Sequence, residues 1–277
     1  MHTPPPRLIE PAQLAEHLSN PDLIIIDLSS ASQYALAHVP GAIHVEPGEL
    51  VHGAPPAPGM LPDAPRLQAL LQRIGLKDSS HVVAMDDEGG GWAGRMLWTL
   101  ACVGHDRWSY LNGGLPAWLS AGQAATAEVP SPQPSKFTIN LETLEGAPRI
   151  RLEALRQTVG DGTTQVWDCR SIGEYLGADV RAARGGHIPG ARHLDWLDLM
   201  DPERALRIPE DVESRIARAG IDHTQRVVVH CQSHHRSALA WLVGTLLGFR
   251  EIVAYDGSWS EWGNHPDTPI EVGPPSV

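Results

Sequence analysis

The sequence has 277 residues but only three cysteines, Cys102, Cys169 and Cys231. This odd, sparse set has no short spacing, so it predicts neither a disulfide framework nor a zinc site. Long apolar runs are missing too, since no stretch approaches the roughly 18 consecutive apolar residues of a membrane-spanning helix. Residues 1–10 are rich in proline and lack the basic start and apolar core of a secretory signal. We therefore expect a cytoplasmic protein with at least one thiol free to react.

Basic side chains are scarce relative to acidic ones: Lys and Arg number 21, Asp and Glu 33, and the formal net charge is −12. Such a charge argues against nucleic acid or an anionic membrane as a partner. Hydrophobic residues make up 42% of the chain and charged residues 19%, which is typical of a packed globular core. Any anionic small molecule must be held by local positive charge, because the chain as a whole repels it.

What the sequence does contain is a repeat. Residues 38–44 read His-Val-Pro-Gly-Ala-Ile-His, and residues 187–193 read His-Ile-Pro-Gly-Ala-Arg-His. Each segment is preceded by a strand-like apolar run that ends in aspartate, at Asp27 and at Asp168. The same order of segments in both halves indicates one fold written twice.

Each half alternates short apolar strands with helical runs. The strand patterns at 82–86 and 227–231 are followed by helical patterns at 91–103 and 236–247, each of which stops at a glycine. A further helix is predicted over 66–74. This alternation predicts an α/β protein of two homologous domains, each a parallel sheet with helices on both faces.

The predicted domains comprise residues 1–123 and 149–277. Residues 124–148 are expected to form a connector, because three prolines between 130 and 134 favour extended backbone over helix. One large domain with chance self-similarity is the alternative, and the matched order of the repeated segments disfavours it.

The segment that follows the strand at 227–231 carries the candidate chemistry. Ligands of open α/β sheets bind at the carboxyl ends of strands, where Cys231 ends this strand and Arg236 opens the next helix. A loop that enters a helix there can turn successive N–H groups inward and form an anion-binding nest. These groups and Arg236 should lower the pKa of the Cys231 thiol. The arrangement predicts a nucleophilic thiolate in a pocket for small anions.

Simpler roles are predicted for the other cysteines and for the loop histidines. Cys102 lies in an apolar helical pattern and Cys169 follows a strand aspartate, so both are expected in the core. His230, Cys231, His234 and His235 could suggest a metal site, but neighbours in one loop cannot all point at one ion, and no metal is expected. His234 and His235 are instead expected to form a partly cationic wall of the loop, or to be merely solvated.

These features together resemble tandem-domain rhodanese, thiosulfate:cyanide sulfurtransferase, over nearly the whole chain. The resemblance rests on the repeat, the His-Ile-Pro-Gly-Ala segment, the run Tyr-Asp-Gly-Ser-Trp-Ser-Glu-Trp at 255–262 and the loop Cys-Gln-Ser-His-His-Arg-Ser at 231–237. That loop is similar to the Cys-Gln-Thr-His-His-Arg loop of bacterial rhodaneses. The resemblance implies that Cys231 becomes a persulfide, that no cofactor takes part and that the first domain is inactive.

The resemblance also implies roles for residues around Cys231. Asp168 and Ser258 match positions that brace the active-site loop, and Trp196 matches an apolar wall of the pocket. The residues expected to meet the substrate are Gln232, Ser233, His234, His235, Arg236, Ser237, Glu174 and Trp196.

Three positions bear on the donor and on the first domain. Ser233 stands where many family members carry Lys, and Glu174 stands where a substrate-binding Arg is frequent. Both changes remove positive charge, so we expect Glu174 to oppose the entry of dianionic thiosulfate. In the first domain Asp86 occupies the position of the cysteine, where it cannot accept sulfur and its charge would repel anions.

Other functions remain open from the sequence alone. 3-Mercaptopyruvate sulfurtransferases resemble the chain in little beyond the cysteine and serine of their Cys-Gly-Ser-Gly-Val-Thr loop. Cysteine phosphatases of the related fold use Cys-x5-Arg, whereas four residues separate Cys231 from Arg236 and form a smaller cradle. A non-catalytic docking module is disfavoured by the intact Cys and Arg. We expect a monomer that moves sulfur from thiosulfate or a similar donor to cyanide, a small thiol or a protein thiol.

Overall fold

The computed structural model describes residues 4–274. They form two compact units. The first contains the described residues up to Leu50, Pro62–Ala147 and Met200–Ile208, and the second contains Val51–Leu61, Pro148–Leu199 and the described residues from Pro209 onward. Each unit thus includes a short segment from the opposite half of the chain. The domain and connector boundaries drawn from the sequence stay predictions.

The first unit is built on a five-stranded sheet in which all pairings are parallel. Its strands follow the order β1-β5-β4-β2-β3 across the sheet and comprise β1 (Leu8–Ile9), β2 (Leu23–Asp27), β3 (Ile43–His44), β4 (His81–Met85) and β5 (Trp108–Leu111). Its helices are α1 (Pro11–His17), α2 (Ala31–Leu36), α3 (Ala64–Arg73), α4 (Gly91–Cys102), α5 (Gly114–Ser120) and α6 (Leu141–Glu145). Short 3-10 helices span Pro47–Leu50 and Pro202–Arg204.

The helices of this unit begin and end near the positions that the sequence indicates. Helix α3 begins two residues before the predicted start at Arg66, because the Asp63 carboxylate accepts a hydrogen bond from the Arg66 N–H at 3.0 Å and caps the helix. Helix α4 ends at Cys102, and Gly104 follows with a φ of 78°, a left-handed conformation that suits glycine. The prolines at 130–134 lie outside any helix or strand.

The second unit repeats the plan on a four-stranded parallel sheet. Its strands follow the order β7-β6-β8-β9 and comprise β6 (Thr164–Asp168), β7 (Arg192–His193), β8 (Arg226–His230) and β9 (Glu251–Ala254). Its helices are α7 (Leu152–Thr158), α8 (Ile172–Leu176), α9 (Val212–Arg218), α10 (Arg236–Leu246) and α11 (Ser258–Trp262), with a 3-10 helix at Trp196–Leu199. The α/β class predicted from the sequence is confirmed.

The repeated His-x-Pro-Gly-Ala segment anchors the helix before it in both units. The hydroxyl groups of Tyr34 and Tyr175 donate hydrogen bonds to the alanine carbonyl of their own segment, at 2.8 and 2.7 Å. Their rings stack on His38 and His187, with centroids 3.9 and 3.8 Å apart. The repeat in sequence is thus a repeat of one buried contact. In the part of the chain that the structure describes, no helix is long and apolar enough to cross a membrane.

Candidate active site

Cys231 lies at the carboxyl end of β8, between the neighbouring strands β6 and β9. The chain then forms a short loop, and α10 begins at Arg236. Because every strand of this sheet is parallel, the ends of β6, β8 and β9 meet at one edge, the place where α/β proteins bind ligands. The structure therefore places the predicted nucleophile where the sequence reasoning expected it.

The loop is held in shape by the start of α11. The Ser258 hydroxyl accepts hydrogen bonds from the N–H groups of Cys231 (3.4 Å) and His234 (3.1 Å) and donates one to the Tyr255 carbonyl at 2.9 Å. Both His234 and Ser258 have a φ of 54°, a left-handed conformation that is uncommon outside glycine. Such backbone persists when its surroundings enforce it. These contacts support the loop-bracing role predicted for Ser258.

Further backbone contacts fix the first residues of the loop. The Trp259 N–H donates to the Cys231 carbonyl at 2.9 Å, and the Ser260 N–H donates to the Gln232 carbonyl at 3.0 Å. Gly59, in the segment 51–61 that joins this unit from the first half of the chain, lies so close to Ser233 that a Cβ there would overlap the Ser233 carbonyl oxygen. No sequence signal pointed to Gly59.

The Cys231 thiol sits in a nest of donors. Its side chain is buried, and burial by itself opposes ionisation. The charge of Arg236 and hydrogen bonds from the Ser237 hydroxyl and from the N–H groups of Ser237 and Ser233 outweigh that effect and lower the pKa of Cys231. The predicted anion nest is therefore assembled around the sulfur itself.

Arg236 does not face the solvent as a free cation. Its guanidinium forms a two-pronged ion pair with Glu174, at 2.7 and 2.9 Å. Glu174 is buried, and although burial opposes its ionisation, the hydrogen bonds and charge of Arg236 lower the pKa of that carboxyl. Glu174 also closes a capping box with Ser171 at the start of α8. Glu174, which was expected to oppose the entry of thiosulfate, is thus buried and paired with Arg236, and its effect on the donor stays a prediction.

A second arginine, Arg181, lies beside Glu174 and is exposed at the surface. Its Nε is 3.6 Å from the Glu174 carboxylate, and 63% of its side chain is exposed. Its carbonyl accepts a hydrogen bond from the Gln232 side-chain amide at 3.0 Å, which ties it to the active-site loop. Sequence reasoning missed this residue, because it lies in the irregular segment before the repeat, where no pattern assigns it a position.

The two loop histidines take different places. His234 is buried, and its Nδ1 is hydrogen-bonded to the Ser237 hydroxyl at 2.8 Å, so it is part of the support of the nest. The expectation that it forms the outer wall was wrong in this respect. His235 is half-buried, and its ring centroid is 5.5 Å from that of Trp196. Trp196, expected as an apolar wall of the pocket, and His235, expected in a partly cationic loop wall, thus lie side by side, and their contact with substrate stays a prediction.

Asp168 supports the loop indirectly. Arg170 donates to both of its carboxylate oxygens, at 2.5 to 3.0 Å, and stacks over the Trp259 ring at 4.3 Å. Burial opposes ionisation of Asp168, but His230 and Arg170 outweigh it and lower its pKa to about 2. Burial lowers the pKa of His230 to about 4, so Arg170 is the charge that balances Asp168 at neutral pH. Through Arg170 and Trp259 this buried pair reaches the backbone of Cys231. No pattern in the sequence pointed to Arg170.

The corresponding loop of the first unit is filled by its own carboxylate. One oxygen of Asp86 accepts from the N–H groups of Glu88, Gly89 and Gly90 at 3.2, 3.1 and 2.8 Å, and the other accepts from Ala93 at 2.9 Å. Burial raises its pKa to about 6 in spite of these donors. The anion nest is therefore kept in this unit, but Asp86 occupies it.

Within residues 4–274, no group of three or more His, Cys, Asp or Glu side chains is arranged to hold a metal ion. All three cysteines are free thiols. The chemistry that the arrangement offers is therefore that of one activated thiolate, surrounded by N–H and O–H donors and backed by a paired arginine.

Comparison with known proteins agrees with this geometry. The family model described as rhodanese-like domain matches residues 10–121 and 152–265. Thiosulfate sulfurtransferase of Pseudomonas aeruginosa is 47% identical over 267 residues, 96% of this chain and 97% of that protein. 3-Mercaptopyruvate sulfurtransferase of Escherichia coli is 27% identical over 275 residues, 93% of this chain and 95% of that protein. A solved structure of an Escherichia coli 3-mercaptopyruvate sulfotransferase with the rhodanese fold superposes with a TM-score of 0.77 at 24% identity, covering 91% of this chain and 98% of its own.

Proposed function

The chain belongs to the rhodanese family, and we propose that it carries transferable sulfur on Cys231 as a persulfide. It is a sulfurtransferase that takes the sulfane sulfur of thiosulfate and passes it to a nucleophilic acceptor. The observation that carries this assignment is the environment of the Cys231 sulfur: a buried thiol with a lowered pKa, surrounded by donors from Ser233 and Ser237 and by Arg236.

The reaction proceeds in two half-reactions of a ping-pong mechanism. The Cys231 thiolate attacks the outer sulfur of thiosulfate, the S–S bond of the donor breaks, and sulfite leaves with the bonding electron pair. The persulfide remains in the nest, where N–H donors of the loop can stabilise its terminal sulfur. An acceptor such as cyanide then attacks that outer sulfur, the persulfide bond breaks, and the Cys231 thiolate is restored.

Arg181 anchors the sulfonate end of the donor. Arg236 is mostly buried and its donors are engaged by Glu174, so it tunes the thiolate more than it binds incoming anions. Arg181 is exposed and tied to the loop through Gln232. It supplies the local positive charge that a chain with a net charge of −12 needs in order to attract a dianion.

The donor is thiosulfate in preference to 3-mercaptopyruvate. The thiosulfate sulfurtransferase of Pseudomonas aeruginosa is 47% identical to the chain and the 3-mercaptopyruvate enzyme of Escherichia coli 27%. The spacing of four residues between Cys231 and Arg236 gives a cradle sized for a sulfur atom and disfavours phosphoryl transfer. The acceptor is cyanide, a small thiol or a protein thiol. We place the protein in the cytoplasm as a monomer, and its first unit, with Asp86 in the nest, is inactive.

Parallel turnover assays with thiosulfate, 3-mercaptopyruvate and a phosphate ester test this proposal. Thiosulfate should be the fastest donor, and the phosphate ester should be inert. Cys231→Ser should abolish turnover, whereas Cys102→Ser, a matched change of a buried cysteine in the other unit, should leave it near that of the unchanged protein. Faster turnover of 3-mercaptopyruvate would overturn the donor assignment, and turnover by Cys231→Ser would overturn the role of Cys231.

A further inference from the structure

A second thiol lies beside Cys231. Cys169 follows β6, the strand that pairs with β8, and the last register partners of the two strands are Asp168 and His230. The Cys169 N–H donates to the His230 carbonyl at 2.9 Å, which continues the ladder by one step and sets Cys169 next to Cys231. Adjacent strands lie about 4.8 Å apart, within the Cα separation of about 4.4 to 6.8 Å that a disulfide requires.

The two thiols also share a face of the sheet. Register partners in a parallel pair point to the same side, and successive residues alternate. The Asp168 and His230 side chains approach to 3.4 Å on one face, so Cys169 and Cys231 are directed together to the other. Both side chains are buried, and burial together with the nearby charge of Cys231 raises the pKa of Cys169. Its thiol donates to the Trp167 carbonyl at 3.7 Å, as a protonated sulfur does.

We propose that Cys169 is a resolving thiol for the sulfur-loaded enzyme. This inference rests on the proposed function, which places a persulfide on Cys231. The Cys169 sulfur attacks the inner sulfur of that persulfide and forms a Cys169–Cys231 disulfide. The persulfide S–S bond breaks, hydrosulfide leaves with the electron pair, and the proton of Cys169 is transferred to it. The Cys169 and Cys231 sulfurs are joined while the outer sulfur of the persulfide is reduced to hydrosulfide, so no outside oxidant is needed.

The environment of Cys169 makes this step slow. Thiol–disulfide exchange requires the thiolate, and the raised pKa of Cys169 keeps it protonated during turnover. An acceptor that arrives promptly therefore takes the sulfur first. When no acceptor arrives, the stored sulfur is discharged as hydrosulfide, and the enzyme is left as a disulfide that an external thiol can reduce. Cys169 thus sets how long the protein can hold reactive sulfur.

The experiment follows the loss of sulfur from loaded protein in the absence of an acceptor. The full chain is loaded with thiosulfate, freed of donor, and followed by intact mass and by hydrosulfide release at several pH values. The loaded protein should release one hydrosulfide and reach a mass two hydrogens below that of the reduced protein. This release should be faster at higher pH. Cys169→Ser should retain its sulfur about tenfold longer or more, because the attacking thiolate is gone. Cys102→Ser, the matched control, should behave as the unchanged protein.

The outcomes separate this inference from the proposed function. Loss of sulfur from Cys169→Ser at the rate of the unchanged protein would overturn the inference while leaving the persulfide in place. If no sulfur is taken up at all, the proposed role of Cys231 as sulfur carrier is overturned. The ability of Cys169 and Cys231 to form a disulfide is then tested independently by oxidising the protein with diamide. A linked peptide containing Cys169 and Cys231, absent from Cys169→Ser, supports the pairing, and its absence from oxidised unchanged protein overturns it.

Discussion

Replacing Arg236 with methionine should destabilise the protein more than loss of an ordinary surface charge, because it leaves the Glu174 carboxylate buried without its partner. The pair is two-pronged, at 2.7 and 2.9 Å, and the two side chains are only 16% and 1% exposed. Breaking a buried pair by removing one partner costs about 3 to 5 kcal/mol. Since Arg181 stays 3.6 Å from Glu174 and partly compensates, we expect the lower end, about 3 kcal/mol.

A double-mutant cycle isolates the pair. Glu174→Gln removes the charge of the carboxylate but keeps its shape, and the double variant Arg236→Met with Glu174→Gln removes both charges of the pair. The double variant should therefore be destabilised by less than the sum of the single ones, with a coupling free energy of about 1 to 3 kcal/mol. Urea unfolding followed by the fluorescence of the nine tryptophans gives the free energies of unfolding.

The matched control is an exposed pair in the same unit. Arg226 and Glu251 are 2.8 Å apart, but their side chains are 32% and 50% exposed. The same cycle on this pair should give a coupling of about 0.2 to 1 kcal/mol. Equal couplings for the two pairs, or additive effects of Arg236→Met and Glu174→Gln, would refute the reasoning that burial makes the Arg236 pair strong.

Three further predictions follow from the site. Because the pKa of Cys231 is lowered, its thiolate persists to lower pH than that of Cys169, whose pKa is raised. Alkylation of Cys231 by iodoacetamide should therefore reach half its maximal rate at a lower pH than alkylation of a free cysteine. Arg236→Met should move this midpoint to higher pH, and an unmoved midpoint would contradict the role of Arg236. Arg181→Gln should raise KM for thiosulfate about tenfold with little change in kcat, since one charge-assisted contact contributes about 1.5 to 3 kcal/mol in a dry site and less at a surface. Arg218→Gln, which changes a similarly exposed arginine, should leave both constants unchanged. Equal KM values for the two variants would refute the role of Arg181. Asp86→Cys combined with Cys231→Ser should remain inactive in turnover with thiosulfate, because the first unit lacks an arginine at the start of its helix, and restored turnover would show that the nest alone suffices.

Much of the fold was open to prediction because its signals are local. The strand patterns, the glycine that follows α4 and the repeated His-x-Pro-Gly-Ala segment each depend on neighbouring residues, and they gave the α/β class and the duplication. The loop from Cys231 to Arg236 was also predictable, since a strand end, a nucleophile and a helix start follow one another within a few residues.

Other parts of the site depend on contacts between residues distant in sequence. Glu174 and Arg236 are 62 residues apart. No pattern in either segment shows that they meet, so their ion pair was not predicted. His234 was expected in the wall of the loop, but its side chain bonds to Ser237. The sequence does not show this, because the left-handed backbone of His234 is held by a hydrogen bond to the distant Ser258. Gly59 belongs to a segment that joins the second unit from the first half of the chain, which periodicity cannot reveal.

The central claim is that Cys231, and neither other cysteine, carries the transferred sulfur. Intact mass spectrometry of the purified protein, first reduced, then incubated with thiosulfate, then given cyanide, tests it most directly. The account predicts a gain of one sulfur atom with thiosulfate and its loss with cyanide, in the unchanged protein and in Cys102→Ser and Cys169→Ser, but no gain in Cys231→Ser. A sulfur atom gained by Cys231→Ser, or none gained by the unchanged protein, would contradict it.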